Sequence, residues 1–189
     1  MLGSFISGLS PSDRLADGPA ADQRADLLHR PCSAKTDSMQ SDAPRYWEDY
    51  ELGKKYPLGS TGFTEHEIIE FARLYDPQSF HIDAEAARAS MFGGLIASGW
   101  HVAAKLMRLF VDNYIDNRTA LGSPGLDELR WLKPVRPGDT IHLEGELIEL
   151  VPSRTKPHGV ARIKWTAYNQ NGEAVYTFNP IAIVPTRPD

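Results

Sequence analysis

The stretch GWHVAAKLMRLFVDNY, which begins at Gly99, combines helical periodicity with an unusually narrow polar face. Its charged residues Lys105, Arg108 and Asp112 are three and four positions apart, so they form a single stripe along a helix. Almost every other position is apolar, whereas a helix on a protein surface has a limited apolar face. The pattern therefore predicts a helix from Gly99 onward that other elements of the fold wrap around.

Stretches with the period-two alternation of β-strands follow this helix. They are predicted at residues 129–135, 139–151, 160–169 and 173–184, and a weaker strand is predicted before the helix at 54–60. Short turn sequences such as PGD and NQNG join them, which favours an antiparallel sheet. A long apolar helix with a curved antiparallel sheet predicts one α+β hot-dog domain, in which the sheet wraps round a central helix. A single copy leaves sheet edges unpaired, which predicts a homodimer or a dimer-based higher oligomer.

Helix signals also precede the apolar helix. The sequence TEHE at residues 64–67 is a capping box, in which the threonine hydroxyl accepts from the glutamate amide and the glutamate side chain reaches back. Helical spacing continues to about Tyr75, and Pro77 ends this helix because it disfavours helical geometry in the residue before it. Asp83 is predicted as the N-cap of a second, short helix.

Composition divides the chain into two parts. Residues 1–44 contain no Val, Trp or Tyr, so they are predicted to be a disordered extension. Residues 45–189 are predicted to form one domain, whose core is supplied by a chain that is 41% hydrophobic. A net charge of −5 gives no footprint for nucleic acid, and no apolar run reaches the roughly 20 residues of a membrane span. We therefore expect a cytoplasmic protein that binds neither nucleic acid nor membrane.

The segment YDPQSFHID, residues 75–83, carries the first candidate site. Asp76 and His81 are five positions apart, a spacing that neither a helix face nor a strand face brings together. One interpretation is a solvated Asp-Pro turn beside a histidine that the backbone satisfies. The other is an acid–base pair, since a carboxyl and an imidazole about one water apart act as general base and acid at neutral pH. Because the negative helix end disfavours a carboxylate, this second interpretation predicts a charged histidine nearby or a raised pKa of Asp76.

The start of the apolar helix carries the second candidate. The first amides of a helix lack internal partners and carry positive potential, and a glycine lets a ligand approach them closely. The Gly99 amide is therefore predicted to hold a developing oxyanion. The alternative is that Ser98 is a plain N-cap and Gly99 a packing residue, and the two interpretations are compatible. Six histidines and one cysteine show no metal-ligand spacing, so no metal site is predicted.

A third candidate is the basic turn SRTKPHG, which contains Arg154 and Lys156. Such a turn either binds the phosphates of a large, cofactor-like substrate or is only the solvated end of a hairpin, and the sequence leaves both open. Gly94, Ser98 and Trp100 are predicted, with the two basic residues, to contact the substrate.

Taken together, YDPQSFHID, FGGLIASGW and LRWLKPVRPGD resemble the MaoC-like family of (R)-specific enoyl-CoA hydratases and acyl dehydratases, over roughly residues 45–185. The most specific element is an Asp followed five residues later by His and then by a second Asp, which Asp76, His81 and Asp83 match. The resemblance implies that Asp76 and His81 activate water for addition across a trans-2-enoyl-CoA thioester. It also implies that the Gly99 amide holds the thioester oxygen and that Asp83 is structural. No cofactor is implied, because the CoA belongs to the substrate.

The sequence departs from this family at two positions. Ser98 stands where many members have His, and Met107 stands in register with a serine that holds the catalytic Asp in some members. Trp100 and Trp131 are bulky and would narrow an acyl pocket. Two other functions stay open, namely an acyl-CoA thioesterase of the same fold and a non-catalytic acyl-CoA-binding subunit, which the missing serine favours.

Overall fold

The computed structural model describes residues 43–188 of the 189-residue chain. Within them a 3-10 turn at Trp47–Asp49 precedes helices α1 (Glu65–Tyr75), α2 (Ser79–Ile82), α3 (Ala84–Ala89) and α4 (Gly99–Asn113). The strands are β1 (Lys55–Gly62), β2 (Gly125–Trp131), β3 (Thr140–Pro152), β4 (His158–Tyr168) and β5 (Ala174–Pro185). The predicted extension, residues 1–44, lies outside the described residues except for its last two, so its disorder stays a prediction.

The five strands form one antiparallel sheet in the order β1-β3-β4-β5-β2. The three central strands are consecutive in the chain. The predicted NQNG turn connects β4 to β5, the basic turn connects β3 to β4, and the predicted PGD turn precedes β3. β1 and β2 form the two edges of the described sheet. Helix α4 packs against the sheet, which confirms the predicted α+β hot-dog arrangement.

The predicted bounds of β2 are wrong. The prediction was 129–135, whereas the strand is Gly125–Trp131, because its first residues already pair with β5. After Trp131, two successive amides donate to the same carbonyl, Val175 O, at 2.9 and 3.2 Å. The regular alternation of the ladder ends there, and Pro134, which has no N–H, cannot restore it.

Helix α4 buries one face against the sheet. The buried side chains of α4 are His101, Val102, Leu106, Leu109 and Phe110. Phe110 meets Trp165 of β4 edge to face, with 4.2 Å between ring centroids. The opposite face leaves Trp100 56% and Met107 41% exposed. Within residues 43–188, the other elements therefore cover only one face of the helix, whereas the sequence predicted that they wrap around it.

Backbone hydrogen bonds gather three connections at one end of the sheet. The Phe63 N–H, directly after β1, donates to Asp139 O at 3.0 Å, and the Gly138 N–H donates back to Phe63 O at 2.7 Å. The Ala97 N–H, just before α4, donates to Val135 O at 2.8 Å. The end of β1, the start of α4 and the turn before β3 therefore lie together, and the candidate site is built on them.

Candidate active site

Asp76 caps the C-terminal end of α1, where Pro77 ends the helix as predicted. Its N–H closes the last helical turn by donating to Ala72 O at 2.8 Å. Its carboxylate oxygens are both hydrogen-bonded: Oδ2 accepts from Ser98 Oγ at 2.7 Å, and Oδ1 accepts from Gln78 Nε2 at 2.8 Å. The side chain remains 20% exposed, so a fixed carboxylate faces solvent.

His81 is carried by the single-turn helix α2 and is only 5% exposed. Its Nδ1 lies 2.8 Å from Ile96 O. A carbonyl oxygen can only accept, so Nδ1 carries a hydrogen, and Nε2 is the ring nitrogen that faces Asp76. Nε2 lies 3.4 Å from Asp76 Oδ2. The structure therefore brings the two predicted side chains together, while the backbone satisfies the other ring nitrogen.

The pKa of Asp76 is held below its ordinary value. Burial of the carboxyl is the largest single effect and raises the pKa, but hydrogen bonds from Ser98 and Gln78, together with the charge of His81, lower it by more. The two alternatives expected were a charged histidine nearby or a raised pKa of Asp76, and the second is wrong because it considered the helix end and not these donors. Asp76 is therefore a carboxylate at neutral pH and can accept a proton.

Ser98 links the carboxylate to the start of α4. Its hydroxyl donates to Asp76 Oδ2 and accepts from the Trp100 N–H at 3.3 Å, so Ser98 is the N-cap, as predicted. Gly99 follows as the first helical residue, and no hydrogen bond within residues 43–188 uses its N–H. Gly99 is half-buried, and its N–H, at the positive end of the helix and directly after the serine that binds Asp76, is available to an anionic oxygen.

The hydrogen bond from Ser98 to Asp76 explains how the carboxylate is held although Met107 replaces the serine of the family pattern. Met107 is nine residues further along α4, roughly 13 Å of helix rise from Ser98, and it does not hold Asp76 in this chain. The hydroxyl donor comes instead from the N-cap. The fully buried Ser98 side chain is committed to Asp76 and to the helix, and its predicted contact with substrate stays a prediction.

The other predicted substrate-binding residues lie at two ends of the fold. Gly94 is in the loop before α4, where an added Cβ would lie 3.2 Å from the Arg136 guanidinium, and Trp100 is in the first turn of α4. Arg154 and Lys156 are in the β3–β4 turn, a thirteen-residue strand away from the turn beside the pair. A single chain does not bring the basic turn to the site, and its phosphate-binding role stays a prediction.

Two groups that hold the pair were not predicted from the sequence. Gln78, which donates to Asp76, lies inside the YDPQSFHID segment, so an amide beside an Asp-Pro turn was a usable signal. The Ile96 carbonyl, which orients His81, has no signal in the sequence, because the packing of the loop decides which backbone oxygen meets the ring.

A second buried histidine, His101, packs behind the start of α4. Its ring stacks on Phe71 at 4.7 Å between centroids and meets Phe63 edge to face at 5.2 Å. Burial, and then the positive charge of Lys105, lowers the pKa of His101 to about 4. It is therefore neutral at pH 7 and acts in packing rather than in proton transfer.

The sequence model of the family described as MaoC like domain matches residues 49–169 of the chain. The chain belongs to this family. The matched range contains Asp76, His81 and Gly99, so the family assignment and the geometry above concern the same residues.

Individual relatives extend this MaoC-like assignment. A MaoC-like dehydratase from Rhodospirillum rubrum is 36% identical with a TM-score of 0.72, over 77% of this chain and 100% of that one. The mesaconyl-CoA hydratase of Cereibacter sphaeroides is 30% identical over 143 residues, which are 74% of this chain and 41% of the hydratase. A Mycobacterium tuberculosis protein with a double hot-dog fold, 17% identical with a TM-score of 0.66 over 77% of this chain and 45% of its own, supports the fold alone. This chain thus spans less than half of the hydratase.

Within residues 43–188, no group of three or more His, Cys, Asp or Glu side chains is arranged to hold a metal ion. None of the helices in this part of the chain has the length and apolarity needed to cross a membrane. The expectations of a cofactor-free reaction and of a cytoplasmic location remain predictions.

Proposed function

We propose that this MaoC-like chain is a hydro-lyase that adds water to a trans-2-enoyl-CoA thioester, or removes it from the (3R)-hydroxyacyl-CoA. One observation carries the proposal: Asp76 and His81 lie 3.4 Å apart, and Asp76 accepts a hydrogen bond from Ser98, the residue directly before Gly99, whose N–H is unused within residues 43–188. The dehydratase and hydratase relatives support the same reaction class.

The pair positions one water for attack. Asp76 is a carboxylate at neutral pH, so a water that lies between it and Nε2 of His81 donates a hydrogen to the carboxylate and turns its oxygen outward. The oxygen bonds to the β-carbon of the enoyl group while one proton passes to the pair. The pair then delivers that proton to the α-carbon, so one water is added and both side chains return to their starting states.

The Gly99 amide stabilises the charge that this attack creates. Negative charge collects on the thioester oxygen as the β-carbon is attacked, and a helix N-terminal N–H next to the pair can donate to it. Loss of one such donor commonly costs about 10²–10³-fold in kcat. The same donor and the same pair serve dehydration, since the transition state is shared.

We also propose that the chain works as a homodimer. The edge strand β2 exposes most of its residues, including Leu126 at 45%, and Met107 of α4 is 41% exposed. Between these two elements lies an apolar cavity of about 270 Å³, to which Phe110 and Ile181 also contribute. An unpaired strand edge beside apolar surface is what a second copy covers, and the cavity supports a contact at the Gly125–Leu126 end of β2, whereas Trp131 lies at the other end of the strand.

The test is a panel of enoyl-CoA substrates incubated with the full chain. Loss of the ultraviolet absorbance of the conjugated thioester reports hydration, and a thiol reagent in a parallel sample reports release of free CoA. The panel contains crotonyl-CoA, its α-methyl derivative and, because of the mesaconyl-CoA hydratase relative, a dicarboxylic enoyl-CoA. Hydration without thiol release supports the proposal. Thiol release without hydration indicates a thioesterase, and binding without either reaction indicates a non-catalytic subunit.

A further inference from the structure

Trp131, the last residue of β2, lies directly on the first residue of α4. A Cβ built on Gly99 would be 2.1 Å from Nε1, 2.4 Å from Cε2 and 2.7 Å from Cδ1 of the indole. Because a Cα–Cβ bond is about 1.5 Å long, Nε1 lies within about 3.6 Å of the Gly99 Cα. Only a residue without a side chain allows the ring to lie here.

The indole is supported on one side and open on the other. Trp131 pairs in the sheet with Tyr176 of β5, which is 1% exposed, and the next residues are tied to Val175 O. The Trp100 ring meets the indole edge to face at 5.7 Å between centroids. Trp131 nevertheless keeps 51% of its surface exposed. An aromatic wall with a fixed base therefore stands on Gly99, the residue whose N–H is the candidate oxyanion donor.

We propose that Trp131 is a specificity-determining residue, whose indole forms the wall of the thioester site and packs against a substituent on the α-carbon. The proposal rests on the hydro-lyase function above. An oxygen bound to the Gly99 N–H lies about 2.9 Å from the amide nitrogen, which is bonded to the Cα that the indole touches. In the proposed binding mode the α-carbon of the substrate, rather than the thioester sulfur, faces the ring.

The exposed surface of Trp131 sets the direction of the preference. It offers uncovered aromatic surface next to the α-carbon, so a methyl group at that carbon gains apolar contact rather than meeting a filled space. One methylene in an apolar pocket is commonly worth about 10–200-fold in selectivity. Trp131 is therefore expected to favour α-methyl enoyl thioesters relative to a variant without the indole.

The chain contains a matched control for this contact. Trp47 lies on Gly159 of β4 in the same way, since a Cβ on that glycine would be 2.2 Å from Nε1 of the Trp47 indole. Gly159 pairs with Pro152, at the end of β3 farthest from the Asp76–His81 pair. Replacing Trp47 removes a tryptophan-on-glycine contact of the same kind without altering the site.

Binding is measured first, with thioesters that cannot be hydrated. Butyryl-CoA and 2-methylbutyryl-CoA are titrated into the full chain, and quenching of tryptophan fluorescence gives the Kd. Trp131→Phe is expected to lose at least half of the quenching, whereas Trp47→Phe keeps it. Trp131→Ala is expected to weaken 2-methylbutyryl-CoA about tenfold more than butyryl-CoA. Equal Kd ratios in Trp131→Ala and Trp47→Ala would overturn the proposal.

Selectivity in turnover is measured next, as the ratio of kcat/KM for 2-methylcrotonyl-CoA to that for crotonyl-CoA. Trp131→Ala is expected to lower this ratio about tenfold, with Trp131→Phe in between and Trp47→Ala unchanged. A ratio that stays constant or rises in Trp131→Ala contradicts the assignment. If the wild type hydrates enoyl-CoA and the selectivity ratio does not depend on Trp131, this inference is refuted and the hydro-lyase function stands. If binding selectivity depends on Trp131 but no hydration occurs, only the proposed hydro-lyase function is refuted.

Discussion

Ser98→Ala separates the electrostatic role of this serine from its role as a helix cap. The substitution removes the 2.7 Å hydrogen bond to Asp76 Oδ2 and the acceptor for the Trp100 N–H. Because Ser98 is fully buried, no water replaces its hydroxyl without rearrangement of the site. The variant therefore tests whether the N-cap serine keeps Asp76 ionised.

The magnitude follows from the two bonds. A hydrogen bond to a charged group contributes about 1.5–3 kcal/mol and an N-cap about 1 kcal/mol, so the free energy of unfolding at neutral pH should fall by about 2–4 kcal/mol. The folded-state pKa of Asp76 lies below its ordinary value, so its stabilisation is present above the ordinary carboxyl pKa and is lost as pH falls through the folded pKa. The difference between wild type and Ser98→Ala should therefore be largest at neutral pH and shrink in acid.

The assay is the pH dependence of kcat/KM for enoyl-CoA hydration, with denaturant unfolding at each pH. Without the serine the pKa of Asp76 rises, so the acidic limb of the profile should move to higher pH. Thr64→Ala is the matched control, because Thr64 caps α1 by accepting from the Glu67 N–H and has no contact with Asp76. It should lose stability and keep the wild-type profile. An acidic limb of Ser98→Ala that coincides with the wild type would refute the reasoning.

Three further substitutions test other parts of the account. Gly99→Ala should lower the free energy of unfolding by about 1–3 kcal/mol in a denaturant titration, because the added Cβ collides with Trp131. Helix propensity alone predicts a more stable variant, and that result would contradict the contact. The wild type should lose up to about 3 kcal/mol of its free energy of unfolding between pH 6.5 and about 4, because His101 binds a proton more readily in the unfolded chain than in the folded one. His101→Phe should abolish this loss, and parallel stability profiles of variant and wild type would disprove it. Leu126→Lys on the exposed face of β2 should shift sedimentation from dimer to monomer, and an unchanged dimer would exclude this edge as the interface.

The local signals in the sequence were sufficient for the segment that carries the pair. The capping box at Thr64, the helix end before Pro77 and the N-cap at Asp83 were all predicted, because each is decided by residues within a few positions of one another. Asp83 Oδ1 accepts from the Glu85 and Ala86 amides at 2.8 and 3.0 Å. Short-range hydrogen bonds of this kind are readable from sequence.

Long-range packing decided what the sequence could not show. The bounds of β2 depend on its register with β5, and the orientation of His81 depends on the Ile96 carbonyl, fifteen residues away. The direction of the Asp76 pKa was missed for the same reason, since its strongest donor is Ser98, twenty-two residues further along the chain. The contact of Trp131 with Gly99 likewise exists only once β2 and α4 are packed.

The measurement that tests the central claim most directly is the hydration rate of Asp76→Asn beside that of Asp83→Asn. Both substitutions remove one carboxylate of the same segment, but asparagine at position 83 still caps α3, because the Asp83 side chain accepts hydrogen bonds from the Glu85 and Ala86 amides. The account predicts that Asp76→Asn loses at least about 100-fold in kcat/KM with an unchanged circular dichroism spectrum, while Asp83→Asn stays near wild type. Equal rates for the two folded variants, in a chain that hydrates enoyl-CoA, would contradict the assignment of Asp76 to the reaction.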